Sequence, residues 1–294
     1  MTPSTKIIVF SNHKGGCGKT SSIVNLAGEL GRLGYKILVV DLDAQANASL
    51  HIGKLHPSEV KTTAADLLLS KENLLSQAIH EDTYFENVHL IYGDLSLNAA
   101  EDKLKDIAPR PNEELEYKLR PLQGLYDVIL IDTPPSLRGL TFNALAAATH
   151  LVIPIESGSQ YGMYGVADLL AIVHRFQETI NPKLNVLGVL LIRHDNRLTV
   201  CKLIEAIAEQ QVGKLLPLRI STSTKVNQAA MLHKTVYGLD PASRVGREFK
   251  DFANYIAEEL GLEGKKTISI KILTRTNSLQ VLVHIITLQK QQVQ

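Results

Sequence analysis

The run Ser11-Asn12-His13-Lys14-Gly15-Gly16-Cys17-Gly18-Lys19-Thr20 gathers two lysines, three glycines and a threonine hydroxyl in one short stretch. That set suits a phosphate. Glycines let the backbone curl so that successive N–H groups point inward at an anion, and a helix start adds its positive dipole end. The run follows an apolar stretch, residues 7–10, and opens an amphipathic one, residues 21–33. This is the strand, loop and helix setting that a phosphate-binding loop requires. Gly15, Gly16, Cys17, Gly18, Lys19, Thr20 and Ser21 are therefore expected to cradle a nucleotide. Lys19 would reach the β- and γ-phosphates, and the Thr20 hydroxyl would ligate Mg²⁺. The plain alternative is an ordinary tight turn, against which the Gly-Lys-Thr triplet argues.

Two acidic strand ends add to this chemistry. Asp41 closes the apolar run 37–41, and Asp43 follows two residues later. In a strand those positions share a face, so both carboxylates are expected in the cleft beyond the strand's carboxyl end. The segment 126–136 reads as a buried strand ending at Asp132, expected to hold Mg²⁺ through a water. Phosphoryl transfer needs positioning and charge neutralisation more than covalent help. One orienting carboxylate, Mg²⁺ and two lysines suffice for it. Acids that merely cap strand ends are the bland alternative, weakened by three motifs in the right order.

The loop departs from the general pattern. His13 stands where its first glycine belongs, and Lys14 precedes the glycine pair. Two cations beside one triphosphate exceed what a single subunit needs. In these residues the chain resembles the deviant Walker ATPases, a family that includes the ParA partition proteins, MinD and the nitrogenase iron protein. The resemblance implies that Lys14 crosses a dimer interface to the partner's nucleotide. It implies catalytic roles for Lys14, Lys19 and Asp43, with Asp43 positioning the attacking water. The matching motif is Asp-x-Asp-Pro-Gln, where Ala44 replaces the usual proline. Asp41 is then expected near the Mg²⁺ shell, whose ligands would be Thr20, Asp132 and Asp43. Pro134 and Pro135 fix a loop that senses the γ-phosphate in the family. The stretch 216–220 resembles its base-side wall, which sets Pro217 against the nucleotide. Asp240-Pro241-Ala242-Ser243 matches a turn found late in ParA proteins, so the resemblance covers residues 5–262.

These residues need elements to hold them. Short Val/Ile/Leu runs at 6–10, 36–41, 88–92, 127–132, 150–155, 186–192 and 214–218 predict strands covered on both faces. Between them, helices are predicted at 20–33, 63–69, 95–105, 113–122, 137–148, 162–179, 198–211, 225–233 and 244–260. The alternation predicts an α/β fold, a mostly parallel twisted sheet with helices on both faces, of the P-loop NTPase type. No linker interrupts it, so residues 1–262 read as one ATPase domain without a helix-turn-helix ahead of the first strand. The tail 263–294 alternates like a strand around Asn277-Ser278. It is expected to be a small hairpin or residues foreign to the domain.

The 294 residues are 45% hydrophobic and 21% charged, with only two cysteines, Cys17 and Cys201. Such a composition predicts a soluble protein of a reducing cytoplasm, without a disulfide framework or membrane insertion. Net charge is +1, unevenly spread: residues 193–250 hold ten Lys and Arg against five Asp and Glu. A basic half can meet a polyanion that the whole chain would not attract. The ParA resemblance implies a homodimer with ATP, nonspecific double-stranded DNA on a basic surface, nucleoid association and a ParB-like or cargo-adaptor partner. The candidates for that surface are Arg197, Arg219, Lys225, Lys234, Arg244, Arg247 and Lys250, with Arg219 and Lys225 best placed by the match. Two alternatives stay open: a MinD-like membrane-associated positioning ATPase and a metabolic ATP-dependent ligase.

Overall fold

Apolar runs alternate with helical segments throughout residues 4–159 and 161–262, which this computed structural model describes. In chain order they form β1 (Lys6–Phe10), α1 (Lys19–Arg32), β2 (Ile37–Asp41), α2 (Asn47–Ile52), α3 (Ala64–Leu69), α4 (Leu75–Ala78), β3 (Ile79–His80), β4 (Val88–Ile91), α5 (Leu97–Ile107) and α6 (Glu114–Leu119). Then follow β5 (Val128–Asp132), α7 (Gly139–Ala147), β6 (His150–Glu156), α8 (Val166–Thr179), β7 (Asn185–His194), α9 (Thr199–Val212), β8 (Leu215–Ser221), α10 (Lys225–Met231), α11 (Val236–Leu239) and α12 (Arg244–Glu259).

The strands make one sheet in the order β3-β4-β2-β5-β1-β6-β7-β8, parallel except for β3, which runs antiparallel to β4 at the edge. Side chains alternate across it. Ile7 and Val9 join a core under α3, α5, α6, α7, α8 and α9, whereas Ile8 and Phe10 join the opposite core under α1 and α12. Both faces are dry, which explains continuous apolar strands. Phe10 meets Phe252 of α12 edge to face at 6.3 Å. Truncating Phe252 to Ala would cost about 3–5 kcal/mol, from lost transfer energy plus the cavity left behind.

Polar ties fix the elements around the first loop. Asn12 Nδ2 donates to the Pro154 carbonyl of β6 at 2.7 Å, which anchors the start of the loop. Behind α1, Asn25 Oδ1 accepts from Val236 N and Glu29 Oε1 accepts from Thr235 Oγ1, each at 2.7 Å. The helix that carries Lys19 and Thr20 is thus pinned to α11.

Observed strands begin or end within a few residues of the expected ones. The largest extension is at β8, which continues three residues past the predicted end to Ser221. The short elements α2, α4, β3 and α11 were not expected, because runs this brief carry no readable period. The expected hairpin at 263–294 lies outside the described residues.

Candidate nucleotide-binding site

The loop between β1 and α1 curls through Gly16 and Gly18, both left-handed at φ +72° and +79°. A side chain at Gly18 would also strike Ile192 Cδ1. Gly18 caps α1 without a side-chain hydrogen bond. The first N–H groups of α1 therefore have no side-chain partner and are presented to an anion. A cavity of about 720 Å³ opens over this helix start. Residues 15–22 line its floor, Asp43, Asn47, Leu50 and His51 one side, and Ile192, Arg193, Phe249 and residues 220–224 another.

Lys19 is buried, and its ammonium is held by the carbonyls of Asn12 at 3.2 Å and Lys14 at 3.4 Å. Neutral acceptors leave its charge uncompensated by any carboxylate contact. Burial pushes the neighbouring Cys17 thiol up, against the opposing charge of Lys19, so this cysteine packs as a thiol rather than a thiolate.

Thr20 Oγ1 donates to Asp132 Oδ2 at 2.7 Å, which joins the helix start to the end of β5. Asp132 is fully buried, and its other oxygen, Oδ1, has no hydrogen-bond partner among the described residues. Burial and then the charge of Asp41 push its carboxyl well above the usual range. A buried carboxyl with one unpartnered oxygen, beside a hydroxyl, fits a divalent cation, which would partner that oxygen and offset the burial of charge. Among the described residues no cluster of three His, Cys, Asp or Glu could hold a metal.

Asp41 departs from expectation. Rather than pointing into the cleft, it is fully buried and accepts from Ser49 N at 2.8 Å, Ser49 Oγ at 2.7 Å and Asp43 N at 3.1 Å. Strand β2 ends at Asp41, so two-residue alternation does not carry on to Asp43. Burial, opposed by these hydrogen bonds, pushes its carboxyl up to about 6. Asp43 alone of the pair lines the cavity. Pro217 is a second correction: it is exposed and outside the cavity lining, because β8 runs on and residues 220–224 form that wall. Ile192 and Arg193 line the cavity from the end of β7; Asn47, His51 and the Ser-Thr-Ser-Thr run at 221–224 line it without having been singled out. The last of these was readable as the polar loop after a strand.

Lys14 is not among the lining residues. Its ammonium lies 2.8 Å from Glu156 Oε2 and 3.0 Å from Ser159 Oγ, on the face where Tyr161 and Tyr164 are exposed.

The basic candidates are dispersed. Arg197, Lys225 and Arg244 line a second cavity of about 460 Å³ that shares Ser221, Thr222 and Ser223 with the first. Each of these cations is bonded to an acid: Arg197 to Asp195, Lys225 to Asp240 and Arg244 to Glu248. Arg219 is half-buried against Glu205. Lys250 lies over the Tyr237 ring at 5.2 Å, while Lys234 and Arg247 are exposed with no ion pair among the described residues.

A family model described as an AAA domain matches residues 5–186. The sporulation initiation inhibitor protein Soj of Bacillus subtilis (strain 168) is 33% identical over 86% of this chain and 98% of its own. The chromosome-partitioning ATPase Soj of Thermus thermophilus is 32% identical over 85% and 94%. The chain belongs to the ParA-type partition ATPases. Solved structures with the same fold include the septum site-determining protein MinD of Pyrococcus horikoshii with Mg-ADP, at TM-score 0.73 and 26% identity over 89% of this chain and 99% of that one. Cobyrinic acid a,c-diamide synthase of Mycobacterium smegmatis with ADP and magnesium aligns at TM-score 0.75 and 25% identity, over 88% and 96%. No helix among the described residues is long and apolar enough to cross a membrane.

Proposed function

We propose that this chain is a nucleotide-driven switch: ATP joins two copies face to face, the dimer holds DNA without reading its sequence, and hydrolysis releases it. The position of Lys14 carries this reading. One lysine, Lys19, is buried in the loop where a triphosphate would lie; the other lies outside that cavity, half-buried and paired with Glu156. A cation so placed serves a phosphate brought by a second copy.

In this reading residues 1–262 act as a single ATPase domain. The N–H groups of residues 15–21 bind the phosphates of ATP, and Lys19 neutralises the β- and γ-oxygens. Mg²⁺, held at Thr20 and Asp132 with Asp43 nearby, supplies further charge neutralisation when bound. Asp43 orients the attacking water, and Pro135 on the cavity wall tracks the γ-phosphate. Turnover is slow until a ParB-like or cargo-adaptor partner completes the site. Pairing two copies sums their basic surfaces, which raises DNA affinity and its salt dependence together. The cargo is DNA, plasmid or chromosome, or a body carried on a nucleoid in the cytoplasm. Similarity to the Soj proteins supports this reading.

The test is retention on unrelated DNA sequences at low salt with ATP and Mg²⁺, then with ADP. Retention with ATP alone, irrespective of sequence, is expected; equal retention with ADP would contradict the switch. Fold likeness to the diamide synthase supports a competing ligase, which would release phosphate on addition of a small carboxylic acid and an amide-nitrogen donor rather than DNA. ATP-dependent sedimentation with anionic liposomes would instead favour a MinD-like membrane role.

A further inference from the structure

Glu156, the last residue of β6, serves two cations at once. Lys14 Nζ lies 2.8 Å from its Oε2, and Arg193 Nη1 lies 2.8 Å from its Oε1. The Lys14 and Glu156 side chains are only 20% and 18% exposed, whereas that of Arg193 is 57% exposed. Burial pushes the Glu156 carboxyl up, but hydrogen bonds and charge from Lys14 and Arg193 outweigh it and hold it below its usual range. Arg193 also adopts a left-handed backbone, φ +50°, which non-glycine residues keep only where the surroundings enforce it.

The dimer reading requires Lys14 to leave Glu156 for a triphosphate. Departure of a sole counter-ion would strand a mostly buried carboxylate, a strongly unfavourable outcome. Arg193 already occupies the other oxygen, so the carboxylate stays compensated when Lys14 goes. We propose that Glu156 is a latch on Lys14 and that Arg193 is a positioning residue that eases its release, so the pair together sets the ATP concentration at which two copies join. This rests on the dimer reading above.

The two residues then act with opposite signs. Light scattering across an ATP titration with Mg²⁺ tests this on the full chain, for wild type, E156Q, R193M, R193K and the E156Q/R193M double variant. E156Q should dimerise at about fivefold less ATP and R193M should need about fivefold more. R193K should return close to wild type, and the double variant should match E156Q within about twofold, because Arg193 has nothing to ease once the carboxylate is gone. An R193M shift of equal size in both backgrounds would overturn the proposal, since it would mean direct action on the nucleotide. So would an unchanged midpoint in E156Q. A second readout needs no dimer: the rate at which an amine-acylating reagent labels Lys14 without nucleotide, followed by mass spectrometry. Labelling should be several-fold faster in E156Q and slower in R193M; equal rates in all variants would remove the latch. If wild type stays monomeric while these labelling rates differ as stated, the latch stands and the dimer reading fails.

Discussion

The loop after β1 and the basic side chains spread around α9, α10 and α12 treat charge in opposite ways. Around the loop, groups stand uncommitted: Asp132 Oδ1 has no partner, α1 starts without a side-chain cap, and the Lys19 ammonium touches carbonyls rather than carboxylates. On the basic surface Arg197, Arg219, Lys225 and Arg244 are each bonded to an acid of the same chain. The first region suits a ligand that brings its own negative charge and a cation. On the function proposed, the second would take up a polyanion only by exchanging one anion for another. Its affinity is then a difference between similar pairings, dominated by counter-ion release and by the number of phosphates met.

The largest effect expected lies in the loop. Asp132→Asn should lower ATP-dependent phosphate release about 10²–10³-fold, and chelating Mg²⁺ should do the same to wild type. A variant that kept its rate would deny the orphaned carboxylate its metal role. Next comes the surface. Reversing Arg197, Lys225 and Arg244 together to Glu should weaken DNA binding about 10²-fold at low salt and reduce the salt slope by about three, while ATP binding persists. Loss of ATP binding as well would mean that the two regions are not separable.

A smaller effect of opposite sign sharpens the contrast. Asp195→Asn frees Arg197 from its own acid and should tighten DNA binding about two- to threefold, read by a salt titration. Unchanged or weaker binding would mean that the internal pairing does not compete with DNA. The smallest effect sits at the far end of the sheet. Burial, with the nearby charges of Lys6 and Lys214, pushes His150 down to about 4. The unfolded chain, with an ordinary histidine near 6.5, binds a proton that the folded chain refuses. Stability should therefore fall as pH drops from about 6.5 to about 4 and change little from this group below that. The offset between the denaturant midpoints of wild type and His150→Asn should be constant above that window and shift within it, wild type losing stability relative to the variant as pH falls; curves parallel through the window would deny His150 a part.

Much of this was legible in the chain, because the loop, β1, β5 and α1 rest on contiguous patterns. Continuous apolar strands and the glycine run dictate local structure with little help from distant residues. The failures arise where tertiary contacts decide. Asp41 was expected to share the cleft with Asp43, yet Ser49 of the unforeseen α2 captures its carboxylate. Pro217 was set against the nucleotide by the family match of 216–220, whereas β8 runs on to Ser221 and residues 220–224 form that wall. No periodicity could show that Arg219 meets Glu205 or that Lys225 meets Asp240, since those pairs depend on how β8 meets α9 and how α10 meets the end of α11.

One measurement bears on the whole account: the solution mass of wild type and Lys14→Ala, by light scattering, with and without ATP and Mg²⁺. The wild-type mass should double on ATP and stay single with ADP, while Lys14→Ala binds the nucleotide yet keeps the mass of one chain. A wild-type mass indifferent to ATP, or a Lys14→Ala variant that doubles as readily, would contradict the claim that a triphosphate and this lysine join two copies.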